Sequence, residues 1–173
     1  MSATMSKFFT ILALLLAMTV GPVVVARDFQ KFSFEARVLR VKDGDSLIVE
    51  RLPMRRRTEI RLAGIDAPEL AQPWGIRSRD ALRRMLSGKM VRADVHDRDR
   101  YNRLVAFLWL DRKMVNAQLV REGHAWAFDR YLPNAEIRAA QIDARKHRRG
   151  LWALPRKDRV PPPTWRQQNP RRD

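Results

Sequence analysis

The pair Asp43-Gly44 stands between two runs in which apolar and polar residues alternate, one carrying Ala36, Val38 and Val41 and the other running from Leu47 to Leu52. Alternation of period two marks a strand with one buried face, and aspartate followed by glycine tolerates the positive φ of a tight bend. The two runs are therefore predicted to pair as a β-hairpin. A third alternating run, Thr58 to Ile65, follows at once, and Met90 to Val95 and Leu104 to Leu110 supply two more short strands. Three consecutive strands this short point to a small closed β-meander. Between the third and fourth runs Ile76, Ala81, Leu82, Met85 and Leu86 recur at helical spacing until Ser87-Gly88 ends the pattern. Val115, Leu119 and Val120 fit a short helix closed by Gly123. Ile137, Ala140 and Ala144 fit a longer one from Asn134, a good N-cap, to Arg149, closed by Gly150. Trp126 and Trp152 are expected in the core.

Five short strands with a helix after the third is the layout of an OB-fold, the partly open barrel that often binds oligonucleotides. The expected class is α+β, an OB-fold five-stranded barrel with three helices. Charge agrees with such a partner: 35 Lys+Arg against 19 Asp+Glu give a net charge of +16. That field calls for a polyanion, whether nucleic acid, anionic membrane or acidic polysaccharide. With no cysteine, disulfide frameworks and thiolate metal sites are excluded. His96, His124 and His147 have no ligand-like spacing.

Residues 1–26 read as a secretory signal: Lys7, an apolar run from Phe8 to Val20, Gly21-Pro22, then small residues up to Ala26 before Arg27. The protein is thus expected to be exported, periplasmic or extracellular. The alternative is an uncleaved N-terminal anchor and membrane attachment, because Phe8 to Ala26 is uncharged. A linker at 27–33 leads to one domain at 34–154. The remainder, 155–173, is rich in proline and arginine, poor in apolar residues and expected to stay extended, disordered and solvated. No coiled-coil seam demands a dimer, and the expected state is a monomer with no stable protein partner.

Chemistry concentrates in Val41 to Glu69, VKDGDSLIVERLPMRRRTEIRLAGIDAPE. Asp45 falls just past the hairpin bend, while Asp66 and Glu69 leave a second turn signalled by Gly64 and Pro68. Two strand ends can present all three carboxylates to one small volume. Carboxylate oxygens suit hard divalent cations, and a third carboxylate beside such an ion can act as a base. Arg61 points away from Ile60 and Leu62, where its guanidinium can fork two phosphate oxygens. Arg77, Arg79, Arg83 and Arg84 on the helix are as readily a solvated face as a nucleic-acid contact.

DGDS, then Arg61 in a strand, then DAPE, then the run DRDRYNR from Asp97 to Arg103, in that order, resemble the thermonuclease family, calcium-dependent nucleases typified by staphylococcal nuclease. The resemblance covers about Phe34 to Trp152. It implies that Asp45, Asp66 and the main-chain carbonyl of Ala67 bind Ca2+, that Glu69 handles the attacking water, and that Arg61 and Arg103 hold the phosphate. Arg100 and Tyr101 match positions that contact the neighbouring phosphate. Tyr131 matches a substrate-stacking tyrosine, with Phe128 the other aromatic of that segment. The implied protein is a secreted calcium-dependent endonuclease that cleaves DNA or RNA on the 5′-oxygen side and leaves 3′-phosphate ends. The alternative is a non-catalytic OB-fold nucleic-acid-binding protein of the cell envelope. Degenerate relatives of that kind lose acidic or arginine positions, and none of the five is lost here.

Overall fold

A computed structural model describes residues 29–129 and 132–170. The leader, Tyr131 and the last three residues lie outside them. In chain order the elements are β1 (Phe32–Val41), β2 (Ser46–Arg51), β3 (Arg56–Leu62), β4 (Ile65–Asp66), α1 (Gly75–Leu86), β5 (Met90–Arg98), β6 (Leu104–Leu110), β7 (Lys113–Met114), α2 (Val115–Arg121), β8 (Trp126–Ala127), α3 (Ala135–Lys146) and α4 (Pro162–Gln168), with 3-10 turns at Gly150–Ala153 and Arg156–Asp158. β1 pairs antiparallel with β2 on one side and β5 on the other, β2 pairs with β3, and β5 with β6. β3 then meets β6 in parallel, Ile60 opposite Leu104, which closes five strands into a barrel. Register shifts at Val38/Arg40 and Val95/Asp97 bend β1 and β5 as closure demands.

The alternation seen in the sequence is the barrel's inside and outside. Leu47, Val49, Ile60, Leu62, Leu104 and Leu108 are each no more than 1% exposed. Leu82 and Leu86 of α1, Leu119 of α2 and Ile137 of α3 pack on the same core. Burying one such side chain stabilises the fold by about 1.5–3 kcal/mol. Asn116, fully buried at the start of α2, satisfies the lip of the sheet: its Nδ2 donates to Ala63 O at 2.8 Å and its Oδ1 accepts from Leu108 N–H at 2.9 Å. Asn134 caps α3, its side chain accepting from Ile137 N–H. Trp126 and Trp152 are buried edge to face, 5.5 Å apart, under α3.

Several expectations need correction. The first strand begins at Phe32, inside the expected linker, because Phe32 and Ser33 still find partners on β5. Ile76 is 55% exposed. The inward position on the first turn of α1 belongs instead to Gly75, packed so tightly on the Glu69 carbonyl that no Cβ fits. The segment after residue 154 is not extended over its described part. Pro162 and Pro163 start α4 in its first turn, where the N–H groups have no intrahelical partner to lose, and Pro162 is buried. Among the described residues no helix is long and apolar enough to cross a membrane.

Candidate active site at the barrel mouth

Strand register brings the first acid and the first arginine together. Ser46 sits opposite Arg61 in the β2–β3 ladder, and the Asp45 carbonyl accepts from Leu62 N–H at 2.8 Å. Past Leu62 the chain turns, and β4 is gripped by β8 with Asp66 opposite Trp126. Gly44 then allows the hairpin tip to touch the second turn. A Cβ at that position would lie 2.6 Å from the Ala67 Cβ and would also strike Ser78 Oγ. Gly44 is not among the residues with positive φ, so the need for glycine is close approach and not the turn conformation that Asp43-Gly44 was expected to require. Across that contact the Ala67 N–H donates to Asp45 Oδ2 at 2.7 Å.

Asp45 and Asp66 are 7% and 2% exposed. Arg61 lies between them, Nη1 at 2.8 Å from Asp45 Oδ2 and Nη2 at 3.0 Å from Asp66 Oδ1. Burial pushes the Asp45 carboxyl above the usual range; Arg61 pulls against that shift and Asp66 adds to it. Asp43, behind it, is also raised by burial and by Asp45. Glu69 lies one residue past Pro68, its side chain 31% exposed, and meets Arg166 of α4 at 2.9 Å. Arg166 also reaches Asp66 Oδ2 at 2.9 Å. Two guanidinium groups therefore draw Asp45, Asp66 and Glu69 into one acidic pocket.

Arg103 reaches the same mouth from the other side of the barrel seam, immediately before β6. Its Nε and Nη2 each lie 2.7 Å from Asp99 Oδ2, and its Nη1 donates to Ser46 Oγ at 3.2 Å. Ser46 Oγ in turn donates to Asp45 Oδ1 at 3.1 Å. Asp99 Oδ1 accepts the N–H groups of Tyr101 and Arg103, both at 3.0 Å, while Asn102 takes the left-handed conformation at φ 67°. Tyr101 is exposed beside Arg103, with the Arg100 and Arg103 guanidinium carbons 4.9 and 5.5 Å from its ring centre. Phe128 is half-buried, its N–H donating to Gly64 O behind the acidic turn. Tyr131 lies outside the described residues.

Four residues of this pocket were not singled out from sequence. Asp99 and Ser46 fall inside the quoted motifs, so their proximity to Arg103 and Asp45 was the available signal. Gln72, 4% exposed, holds the acidic turn by accepting the Glu69 N–H and donates its amide to Val160 O. Neither it nor Arg166 carried any local sign of its role.

Two nearly buried carboxylates, balanced in this structure by cationic side chains, are a donor set that a hard divalent ion fits. Among the described residues no group of three or more acidic or histidine side chains forms a metal cluster. Asp45 and Asp66 would therefore need main-chain, water or phosphate oxygen to complete a shell.

Comparison with known proteins agrees with this arrangement. The family described as staphylococcal nuclease homologue matches residues 59–154. An uncharacterized endonuclease of Escherichia coli O157:H7 is 39% identical over 131 residues, covering 75% of this chain and 83% of the relative. An uncharacterized endonuclease of Haemophilus influenzae is 33% identical over 132 residues, covering 76% and 72%. The probable staphylococcal-like nuclease CAN2 of Oryza sativa is 38% identical over 122 residues, 69% of this chain but 33% of that longer protein. A barrel of five strands with its acids and arginines at one mouth, matched by this profile and these relatives, belongs to the staphylococcal nuclease family, a family of phosphodiester hydrolases.

Proposed function

We propose that this chain is an exported endonuclease that hydrolyses the phosphodiester backbone of DNA or RNA with calcium as its cofactor, cutting on the 5′-oxygen side to leave 3′-phosphate ends. The observation that supports it best is the Arg61 fork, which places Asp45 and Asp66 against a single cationic centre at the barrel mouth. In this reading Asp45, Asp66 and the Ala67 carbonyl hold the ion. When bound, calcium supplies positive charge against the phosphate oxygens.

The remaining work falls to side chains. Glu69 orients the water and takes its proton as the water oxygen bonds to phosphorus and the bond to the 5′ oxygen breaks, the departing oxygen taking a proton from solvent to leave as the 5′-hydroxyl. Arg61 and Arg103 face the charge that accumulates on the five-coordinate phosphorus, and both are held before substrate arrives, Arg61 by two acids and Arg103 by Asp99. Arg100 and the exposed face of Tyr101 flank Arg103, where the adjoining phosphate of the strand would pass. Tyr131 or Phe128 supplies the aromatic face for a base. The +16 net charge draws the polyanion in, so binding weakens with added salt.

Plasmid DNA or RNA incubated with calcium should be degraded to fragments that accept a 3′ label only after phosphatase treatment, and chelator should stop the reaction. Nucleic acid that is retarded on a gel but left intact with calcium present would instead establish the non-catalytic binding protein. Mass spectrometry of the protein recovered from outside the cytoplasm tests export: a chain beginning at Arg27 supports signal cleavage, and one beginning at Met1 or Ser2 rules it out.

A further inference from the structure

The C-terminal segment lies beyond the family match, which ends at residue 154, yet it is tied to the acidic pocket at two points, and its helix starts on a buried proline. The side-chain amide of buried Gln72 holds the Val160 carbonyl, and the same glutamine's Oε1 accepts the Glu69 N–H, so one residue ties the segment to the acidic turn. Pro162 is buried where α4 begins. From α4 the Arg166 fork then spans Asp66, with Nη2 2.9 Å from Oδ2 and Nη1 3.3 Å from Oδ1, and Nη1 also lies 2.9 Å from Glu69 Oε1.

Those contacts fall on a carboxylate assigned to the metal and on the carboxylate assigned to the water. Asp66 Oδ1 already receives Arg61, so Arg166 claims the second oxygen and shares the first. A divalent ion taking Asp66 needs the same lone pairs and repels a guanidinium lying against them. From this geometry we infer that residues 160–168 form an autoinhibitory strap, with Arg166 as an internal cation that must leave Asp66 and Glu69 before the metal and the substrate can engage them. The strap is suited to release: the Arg166 side chain is 47% exposed, its helix has seven residues, and the one apolar residue of α4 that is fully buried is Pro162. Asp66 itself is buried, so the pair is displaced only by a ligand that replaces the guanidinium's charge on that carboxylate, as a divalent ion does.

This inference rests on the assignment of Asp45 and Asp66 to calcium, and its test separates the two. Calcium alone is titrated calorimetrically into the full chain, into Arg166→Ala and Arg166→Gln, and into Arg156→Ala, which removes the same charge from an exposed position on the same segment. Both Arg166 variants should bind calcium more tightly, by about tenfold or more, because the guanidinium they remove lies on a buried carboxylate, and Arg156→Ala should match the parent. In the parent, saturating calcium should also speed amide exchange at Trp165 and Asn169, whose N–H groups bond to Pro161 and Trp165 within α4. Equal or weaker calcium binding in the Arg166 variants, equal tightening in Arg156→Ala, or exchange in α4 that calcium leaves unchanged would each overturn the strap while leaving the metal assignment standing. Calcium binding in none of the chains would overturn the metal assignment, and the strap with it.

Discussion

Arg61 and Arg103 approach the same mouth on the two strands whose parallel pairing closes the barrel, but they are held by different means. Arg61 is positioned by Asp45 across the sheet and by Asp66, five residues on past the turn, and both acids are themselves assigned to the metal. Arg103 is positioned by Asp99, four residues away on its own loop, and reaches Asp45 through Ser46. One arginine is thus set in part by tertiary contact across the sheet and shares both partners with the ion, while the other carries a local support of its own that the ion does not use. The difference teaches that the metal and phosphate halves of this site can be perturbed separately.

The largest effects come from removing either guanidinium. Arg61→Ala and Arg103→Ala should each lower turnover about 100-fold or more, near 2.7 kcal/mol of transition-state stabilisation. Calcium titration then sharpens the contrast. Arg61→Ala removes a cation from two carboxylates and should bind calcium at least as tightly as the parent, whereas Arg103→Ala should leave the affinity where it was. Loss of calcium binding in Arg61→Ala would show that this arginine builds the acidic pair instead of competing for it. The tertiary side has a further weak point at Gly44. Gly44→Ala puts a methyl group against Ala67 and Ser78, so the hairpin tip must withdraw from the acidic turn. Overpacking of this kind costs about 1–3 kcal/mol. Urea denaturation should show that loss, together with weaker calcium binding, while the Arg103 loop stays intact.

Proton competition should act on the tertiary side too. Burial raises the Asp45 carboxyl above its ordinary 3.8, so the folded chain holds that proton at pH values where the unfolded chain has released it. Because the ion needs the carboxylate, calcium affinity should be complete above the raised value and fall as pH drops through it, by at most about tenfold per pH unit. Stability without metal moves the opposite way: this group makes the fold more stable as pH falls from the raised value toward 3.8, the reverse of a salt-bridged aspartate whose pKa is depressed. Calcium titrations and urea midpoints over the same pH series check both signs, and Asp45→Asn should flatten both trends.

The comparison also marks how far the chain could be read before its structure. Strands were legible because period-two burial is a local pattern, and Asp45, Arg61, Asp66, Glu69 and Arg103 stood out because short motifs carry them. What escaped notice was pairing over long separations. Gln72 meets Val160 and Arg166 meets Asp66 across most of the domain, and no periodicity records such contacts. The tail was expected to stay extended because it has little apolar material. That reasoning weighs greasy surface alone, and a guanidinium can dock on buried carboxylates without it. Ile76 shows the converse error: it fits the helical spacing, but the first turn of α1 rests backbone against backbone at Gly75 and leaves the isoleucine outside.

The smallest predicted effect tests the local side alone. Asp99 uses its two oxygens for different tasks: Oδ1 accepts the main-chain N–H groups of Tyr101 and Arg103, and Oδ2 faces the Arg103 guanidinium. Asn at this position keeps the first acceptor and turns the second into a donor, so the loop is retained while the guanidinium loses its anchor. Asp99→Asn should therefore lower turnover by about three- to tenfold, roughly the net worth of one ordinary hydrogen bond because Ser46 still holds the guanidinium, with calcium affinity and unfolding midpoint unchanged. Asp99→Ala removes both acceptors and should lose stability as well as rate. If Asp99→Asn turned over like the parent while Asp99→Ala did not, Asp99 would be shaping the loop and no more, and Arg103 would be held by Ser46. No matching substitution exists for Arg61, because each acid that positions it is also assigned to the ion, and changing either one alters both halves at once.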